Sequence, residues 1–184
     1  MRLFLYIFLA LIVSPPVAAD DGAINIERAD VATGLFNKAC FFNYGNKEKT
    51  ETFLNSKFQK HDDQKKQLFL DFTKTEKGDV WIALFPKGIF AIVLSDKGNC
   101  HVIAQKADRE KVHDNINAFA DEAAQNVSMS IDIHKKSSGS ATISSGFDVL
   151  DPNGKPMMVV VASTPVEKAG NKPDAIITMA VEKY

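Results

Sequence analysis

The stretch GDVWIALFPKGIFAIVLSDKGNCHV, residues 78–102, decides the fold of this 184-residue chain. Two almost wholly apolar runs, residues 80–85 and 89–94, are separated by the turn formers PKG, and SDKG precedes a third run at residues 100–104. Short apolar runs bounded by turns predict three antiparallel strands in a meander. Because the first two runs are apolar at both alternating positions, we expect both faces of this part of the sheet to be covered, one of them by an N-terminal helix.

Helical periodicity precedes and follows the meander. From Asn25 onward, apolar residues recur at spacings of three and four, as Ala32, Leu35, Phe36, Ala39 and Phe42. A second helix is predicted for residues 47–61, whereas residues 67–72 suit either a helix or a strand. Asp108 is a natural N-cap for a further helix that extends to Asn126.

Four further strands are predicted after that helix, at residues 127–134, 141–150, 157–163 and 175–181. The segments KKSSGS, DPNGKP and TPVEKAGNKPD are predicted to be the loops between them. This order predicts an α+β fold, in which an antiparallel sheet is made of the three-strand meander, a helix and four further strands, with the N-terminal helices packed on it.

The first residues, MRLFLYIFLALIVSPPVAAD, have the composition of a secretory signal peptide. A basic residue precedes an apolar run that is roughly half the length of a bilayer-spanning helix, and small residues follow. We expect cleavage after Ala19, which leaves one domain at residues 20–184; an uncleaved membrane anchor is the alternative. The sequence thus predicts a soluble periplasmic or secreted protein with no membrane span after signal cleavage.

The two cysteines, Cys40 and Cys100, both follow the predicted cleavage point. Disulfides persist in the compartments that exported proteins enter. A bond between these residues would close a loop of about sixty residues, which the chain-entropy account values at roughly 4 kcal/mol. We therefore predict a Cys40–Cys100 disulfide; two buried free thiols or a catalytic thiol are the alternatives.

The charge pattern and the motifs exclude several functional classes. The net charge is −1 and the signs are mixed along the chain, so we expect no nucleic-acid partner. The four histidines show no metal-binding spacing, and we predict no metal and no cofactor. Gly-x-Ser-x-Gly and Ser-x-x-Lys are absent from the sequence. The weak catalytic candidates are Asp132 and His134, whose spacing of two places them on one strand face beside Ser130, although such polar groups are commonly only solvated surface.

Three features together resemble a loose group of small, uncharacterised bacterial exported proteins. They are Cys40 on an early helix, the tetrapeptide GDVW at residues 78–81, and the tripeptide GNC at residues 98–100. That group has two cysteines and a Gly-x-x-Trp hairpin. The resemblance implies a profilin-like or PAS-like α+β domain and a Cys40–Cys100 bridge, and it provides no catalytic residue.

These observations predict a non-enzymatic binding or accessory domain. Its partner would be an unknown protein, an envelope component or a small ligand, held by the sheet or by the loops at its rim. A cleft hydrolase that uses acids or a histidine of the later strands is one alternative, and an inhibitor or toxin-neutralising protein is another. Trp81 lies in a fully apolar strand and is interpreted as a packing residue rather than a ligand platform.

Overall fold

A computed structural model describes residues 21–44, 46–62, 66–126, 130–139, 141–167 and 172–181. The predicted signal peptide therefore lies outside the described residues, as does the start of the strand predicted from residue 127. The helices are α1 (Asp21–Ala39), α2 (Lys47–Lys57), α3 (Lys66–Phe72) and α4 (Arg109–Asn126), with a 3-10 turn at Phe41–Asn43. The strands are β1 (Gln59–His61), β2 (Gly78–Phe85), β3 (Gly88–Ser95), β4 (Cys100–Ala104), β5 (Ser130–Ser138), β6 (Thr142–Leu150), β7 (Pro156–Pro165) and β8 (Ala175–Val181). Within the described ranges, no helix is both long and apolar enough to cross a membrane.

All eight strands form one sheet in the order β1-β2-β3-β4-β8-β7-β6-β5, and every neighbouring pair is antiparallel. The predicted meander is present as β2, β3 and β4, with a register that runs from Gly78↔Ser95 to Phe85↔Gly88 in its first hairpin. The last strand, β8, pairs with β4 in the centre of the sheet. The α+β prediction is therefore confirmed.

One face of the sheet carries α1 and α4. The apolar residues of α1 and α4 pack there on strand residues that share this face, including Trp81, Phe90, Ile92, Val102, Phe147, Val160 and Ile177. His113 of α4 is fully buried and hydrogen-bonds on both sides, to Ser145 Oγ at 2.6 Å and to Thr164 Oγ1 at 2.9 Å. Because β6 and β7 provide these hydroxyls, the histidine ties α4 to the sheet. The predicted N-cap of α4 is confirmed, since Asp108 Oδ1 accepts a hydrogen bond from the Lys111 amide at 2.8 Å.

The opposite face is covered over only part of its width. Leu70 of α3 packs in a second buried cluster with Val80, Ala91, Val93 and Ile103 of the meander. Both faces of the meander are thus covered where α3 lies, as its apolar composition predicts, but Leu84 and Ile89 at the end of the β2–β3 hairpin are exposed. Over β5 to β8, in contrast, no described helix lies on this face, and buried residues alternate with partly exposed ones along β7.

The disulfide between Cys40 and Cys100 is confirmed, with a Cα–Cα distance of 5.6 Å. Cys40 directly follows α1 and Cys100 begins β4, and both residues are fully buried. The bond therefore fixes the C-terminal end of α1 over the middle of the sheet.

Several local predictions are wrong. Phe42, predicted to lie on the apolar stripe of α1, is in the 3-10 turn and is exposed. Thr164 and Pro165, predicted to lie in a loop, belong to β7.

The second helix ends at Lys57 rather than residue 61, because Phe58 adopts an extended backbone and β1 then pairs with residues 80–82 at the edge of β2. Residues 135–138, predicted to lie in a loop, belong to β5, since Ser137 pairs with Ser144 after a register shift. In both places long-range strand pairing overrides the local preference. Residues 67–72, which suited a helix or a strand, lie in α3.

The disulfide generates a prediction about stability. Replacing both cysteines, Cys40→Ala with Cys100→Ala, should lower the free energy of unfolding by roughly 4 kcal/mol, because the unfolded chain is no longer constrained by the long loop. Urea denaturation of the oxidised protein and of the double variant measures this difference. A reductant should destabilise the wild-type protein and leave the double variant unchanged; equal stability of the oxidised protein and the variant would contradict the prediction.

Candidate ligand-binding site

A groove of about 690 Å³ lies between α1, α2 and the free end of β2. Its volume falls within the range of roughly 300–1,000 Å³ that small-molecule sites occupy. Eight of its lining residues are apolar or glycine, namely Val31, Gly34, Leu35, Phe53, Phe58, Ile82, Leu84 and Phe85, and the three polar ones are Lys38, Lys57 and Gln59. We call this space the α1–α2 groove.

The groove forms because the sheet is incomplete at its edge. Strand β1 has three residues and pairs only with residues 80–82 of β2, so the last residues of β2 have no second strand neighbour among the described residues. On the opposite wall, Gly34 in α1 provides no side chain, and a Cβ atom at this position would meet no heavy atom within 4 Å. A short strand and a helical glycine together leave the space unfilled.

Aromatic rings form one wall of the groove. The ring of Phe58 lies 6.2 Å from that of Phe53 and 6.5 Å from that of Phe85, measured between centroids. Aromatic pairs at such separations are favourable contacts that orient the rings. The wall is therefore held in place by its own packing before any ligand arrives.

Two lysines give the groove a positive charge. Lys38 belongs to the α1 wall and Lys57 to the α2 wall, and both are exposed. Within the described part of the chain neither lysine has a carboxylate partner, although other lysines, such as Lys60 and Lys87, do form ion pairs. An apolar cavity with uncompensated positive charge at its rim suits a molecule with an apolar body and an anionic group.

The predicted catalytic residues lie elsewhere, on the uncovered face of β5 and β6. Asp132 and Asp148 are directly opposite each other in the ladder, and His134 Nε2 lies 3.1 Å from Asp148 Oδ2. The second carboxylate oxygen of Asp148 is buried and has no hydrogen-bond partner among the described residues. The structure thus brings Asp132, His134 and Asp148 together.

Ser130 lies two residues before Asp132 on β5 and therefore shares its strand face with this acid–histidine cluster. A nucleophilic mechanism needs a hydroxyl or thiol beside the base. His134 contacts a carboxylate, whereas the hydroxyl of Ser144 lies 3.4 Å from that of Ser163. Among the described residues, no group of three or more His, Cys, Asp or Glu side chains could hold a metal ion.

Trp81 and His101 are buried and act in packing. The Trp81 indole donates a hydrogen bond from Nε1 to Asn55 Oδ1 at 2.9 Å, so the interpretation of Trp81 as a core residue is confirmed. His101 Nδ1 lies 3.0 Å from Thr178 Oγ1, and its Nε2 lies 3.4 Å from Thr75 Oγ1. Burial lowers the pKa of His101 from 6.5 to about 4, so the imidazole is neutral at pH 7.

Sequence reasoning did not identify the α1–α2 groove. Its residues come from three separate segments, and only the failure of β1 to extend along β2 leaves them uncovered. One signal was present in the sequence: in LFPKGIF, residues 84–90, apolar residues flank the turn on both sides without the polar alternation typical of an exposed hairpin end.

Comparison with known proteins gave no match: no protein-family model, no curated protein and no solved structure is significantly similar to this chain. The functional argument therefore depends on the geometry and chemistry of the groove. The resemblance to small exported two-cysteine proteins stays a prediction.

The buried imidazole of His101 generates a prediction about pH. The unfolded state takes up a proton near pH 6.5 and the folded state only near pH 4, so the stability that neutral His101 provides above pH 6.5 is lost as the pH falls to about 4. The loss should be about 3 kcal/mol. Urea denaturation of the wild-type protein and of His101→Gln between pH 7.5 and 4 measures it, and the variant should show a shallower decline. Parallel curves for the two proteins would rule out the assignment.

Proposed function

We propose that this protein is an exported, non-enzymatic binding protein whose α1–α2 groove holds an anionic amphiphile, a molecule of the fatty-acid class with one apolar chain. The observation that carries the proposal is an apolar groove lined by two lysines that have no carboxylate partner among the described residues. Such a ligand is an envelope component, which is one of the partner classes that the sequence predicts.

Two features support an extracytoplasmic location. The Cys40–Cys100 disulfide is buried and joins two elements of the core, and disulfides of this structural kind are rare in reducing compartments. The first nineteen residues have the composition of a signal peptide. We propose the periplasm or the cell exterior as the place where the groove meets its ligand.

The energetics of the groove are sufficient for measurable binding. Each buried methylene group contributes about 0.8 kcal/mol, so a chain of about ten gives on the order of 8 kcal/mol. Loss of translational and rotational freedom opposes this by at least about 4 kcal/mol. Each exposed lysine contributes at most about 1 kcal/mol to binding, and this contribution decreases as the salt concentration rises. The balance of about 4–6 kcal/mol corresponds to dissociation constants on the order of millimolar to tens of micromolar.

The two alternative functions have less support. The hydrolase alternative needs a cleft around its acids or histidine, whereas Asp132 and His134 lie on an exposed strand face beside Asp148. The inhibitor alternative needs a protein-sized contact surface, and no observation on the described residues favours one target. The groove, in contrast, combines volume, apolar lining and charge in one place.

The first test fills the groove. Gly34→Phe should weaken binding of dodecanoate at least tenfold, because the new ring occupies the open space beside Gly34. Isothermal titration calorimetry of wild-type protein and variant with dodecanoate measures the effect. The matched control is Gly34→Ala, which should bind like the wild-type protein and gain about 1 kcal/mol of stability from its better helix propensity. Absence of dodecanoate binding to the wild-type protein, or equal binding to the Phe variant, would refute the proposal.

The second test separates charge from shape. The double variant Lys38→Gln with Lys57→Gln should weaken dodecanoate binding about tenfold, because loss of two rim ion pairs is worth about 1–2 kcal/mol. Binding of dodecanol, which has no charge, should be unchanged. The control is Lys74→Gln with Lys97→Gln, which removes two exposed lysines outside the groove lining. An equal loss for the acid and the alcohol would show that the lysines do not recognise an anion.

A further inference from the structure

The end of the β2–β3 hairpin presents apolar side chains to solvent. Leu84 and Ile89 are cross-strand partners on the face opposite α1, and their exposed fractions are 72% and 64%. Phe85 adjoins them and is also exposed, as is Ile26 in the first half of α1. Half of the exposed large apolar residues in the described part of the chain therefore belong to this hairpin end and to the start of α1. We call Leu84, Phe85 and Ile89 the hairpin tip.

The hairpin tip is braced rather than loose. The Arg28 side chain of α1 donates a hydrogen bond from Nε to the Lys87 carbonyl at 2.6 Å, and Lys87 Nζ lies 2.6 Å from the Glu27 carboxylate. A Cβ atom on Gly88 would lie 3.3 Å from Arg28 Nε, which shows how closely the helix approaches the turn. Contacts from α1 thus hold the turn, and the Phe85 ring packs against the rings of Phe58 and Phe90.

Positive charge surrounds the hairpin tip. Arg28 and Lys87 contact the turn directly, and Lys57 lines the groove together with Leu84. Glu27 offsets the charge of Lys87, whereas among the described residues neither Arg28 nor Lys57 has a carboxylate partner. Each Lys or Arg near an anionic membrane surface contributes about 1 kcal/mol of attraction. A few apolar side chains beside basic residues are the combination that places a protein at a bilayer interface.

A second copy of the chain is a less suitable occupant. Stable protein interfaces bury about 800 Å² on each partner, which corresponds to roughly 20–30 residues. The tip offers three apolar residues at the end of a two-stranded hairpin, which is too small a surface for such an interface. A lipid surface requires no matching partner surface and accepts a narrow apolar projection.

We propose that the hairpin tip docks on an anionic lipid bilayer, and that the α1–α2 groove exchanges its ligand there. The docking surface is continuous with the groove, because Leu84 and Phe85 belong to both. The exchange step rests on the proposed function of the groove, whereas docking itself does not. Docking places the open end of the groove where amphiphiles leave and enter the bilayer.

Vesicle flotation tests the docking step. The wild-type protein should float with vesicles of phosphatidylglycerol and phosphatidylcholine at low salt and should remain behind with pure phosphatidylcholine. Ile89→Asp and Ile89→Ser should each reduce flotation at least tenfold. Leu68→Asp, which changes an exposed apolar residue on α3, should float like the wild-type protein. No flotation of the wild-type protein, equal flotation of the Ile89 variants, or equal flotation with neutral vesicles would overturn the proposal.

The same variants separate docking from groove binding. Ile89 does not line the groove, so Ile89→Ser should bind dodecanoate like the wild-type protein while it loses flotation. Gly34→Phe should float normally while it loses dodecanoate binding. Light scattering tests whether a second copy of the chain occupies the hairpin tip instead. A dimer of the wild-type protein that Ile89→Ser converts to a monomer would identify the tip as a contact between copies and would refute lipid docking.

Discussion

The buried bond between Cys40 and Cys100 is the constraint on which the arrangement of the N-terminal half depends. It fixes the end of α1 above β4, which lies in the middle of the sheet. The chain then passes through the 3-10 turn into α2, which leads to β1 at the edge of the sheet beside β2. Contacts from Arg28 to the β2–β3 turn hold the first half of α1. The helix α1 is therefore held at both places, and one side of it forms a wall of the groove.

The sheet has two halves with different environments. Except at the exposed end of the β2–β3 hairpin, the meander is covered by α1 on one face and by α3 on the other, whereas over β5 to β8 the described helices cover one face only. At the edge of the covered half, Asp79 accepts ion pairs from Lys60 on β1 and Lys66 on α3. Partial burial would raise the pKa of Asp79, but the hydrogen bonds from the two lysines outweigh it and hold the pKa below its usual value. This edge is fixed electrostatically along β1, and the groove begins at Gln59, the first residue of β1.

The sequence predicts those parts of the fold in which apolar residues recur at a regular helical or strand spacing. The meander, the stripe of α1, the N-cap of α4 and β8 follow directly from apolar spacing and turn residues, and the disulfide follows from cysteine number and expected compartment. Strand β1 and the end of β5 could not be predicted, because their pairing depends on partners distant in the chain. The groove was missed for the same reason: Val31, Phe58 and Leu84 look like ordinary core residues until the packing leaves them uncovered. Asp132 and His134 were placed correctly on one strand face, but their partner Asp148 lies on another strand.

We propose that the space between α1, α2 and β2 is a binding site rather than a packing defect. Methyl NMR spectra of the protein titrated with dodecanoate test this claim most directly. The account predicts saturable shifts of the methyl groups of Val31, Leu35, Ile82 and Leu84, with little change at Ile131 and Ile133 on β5. Shifts centred on β5, or no saturable shift at any methyl group, would contradict it.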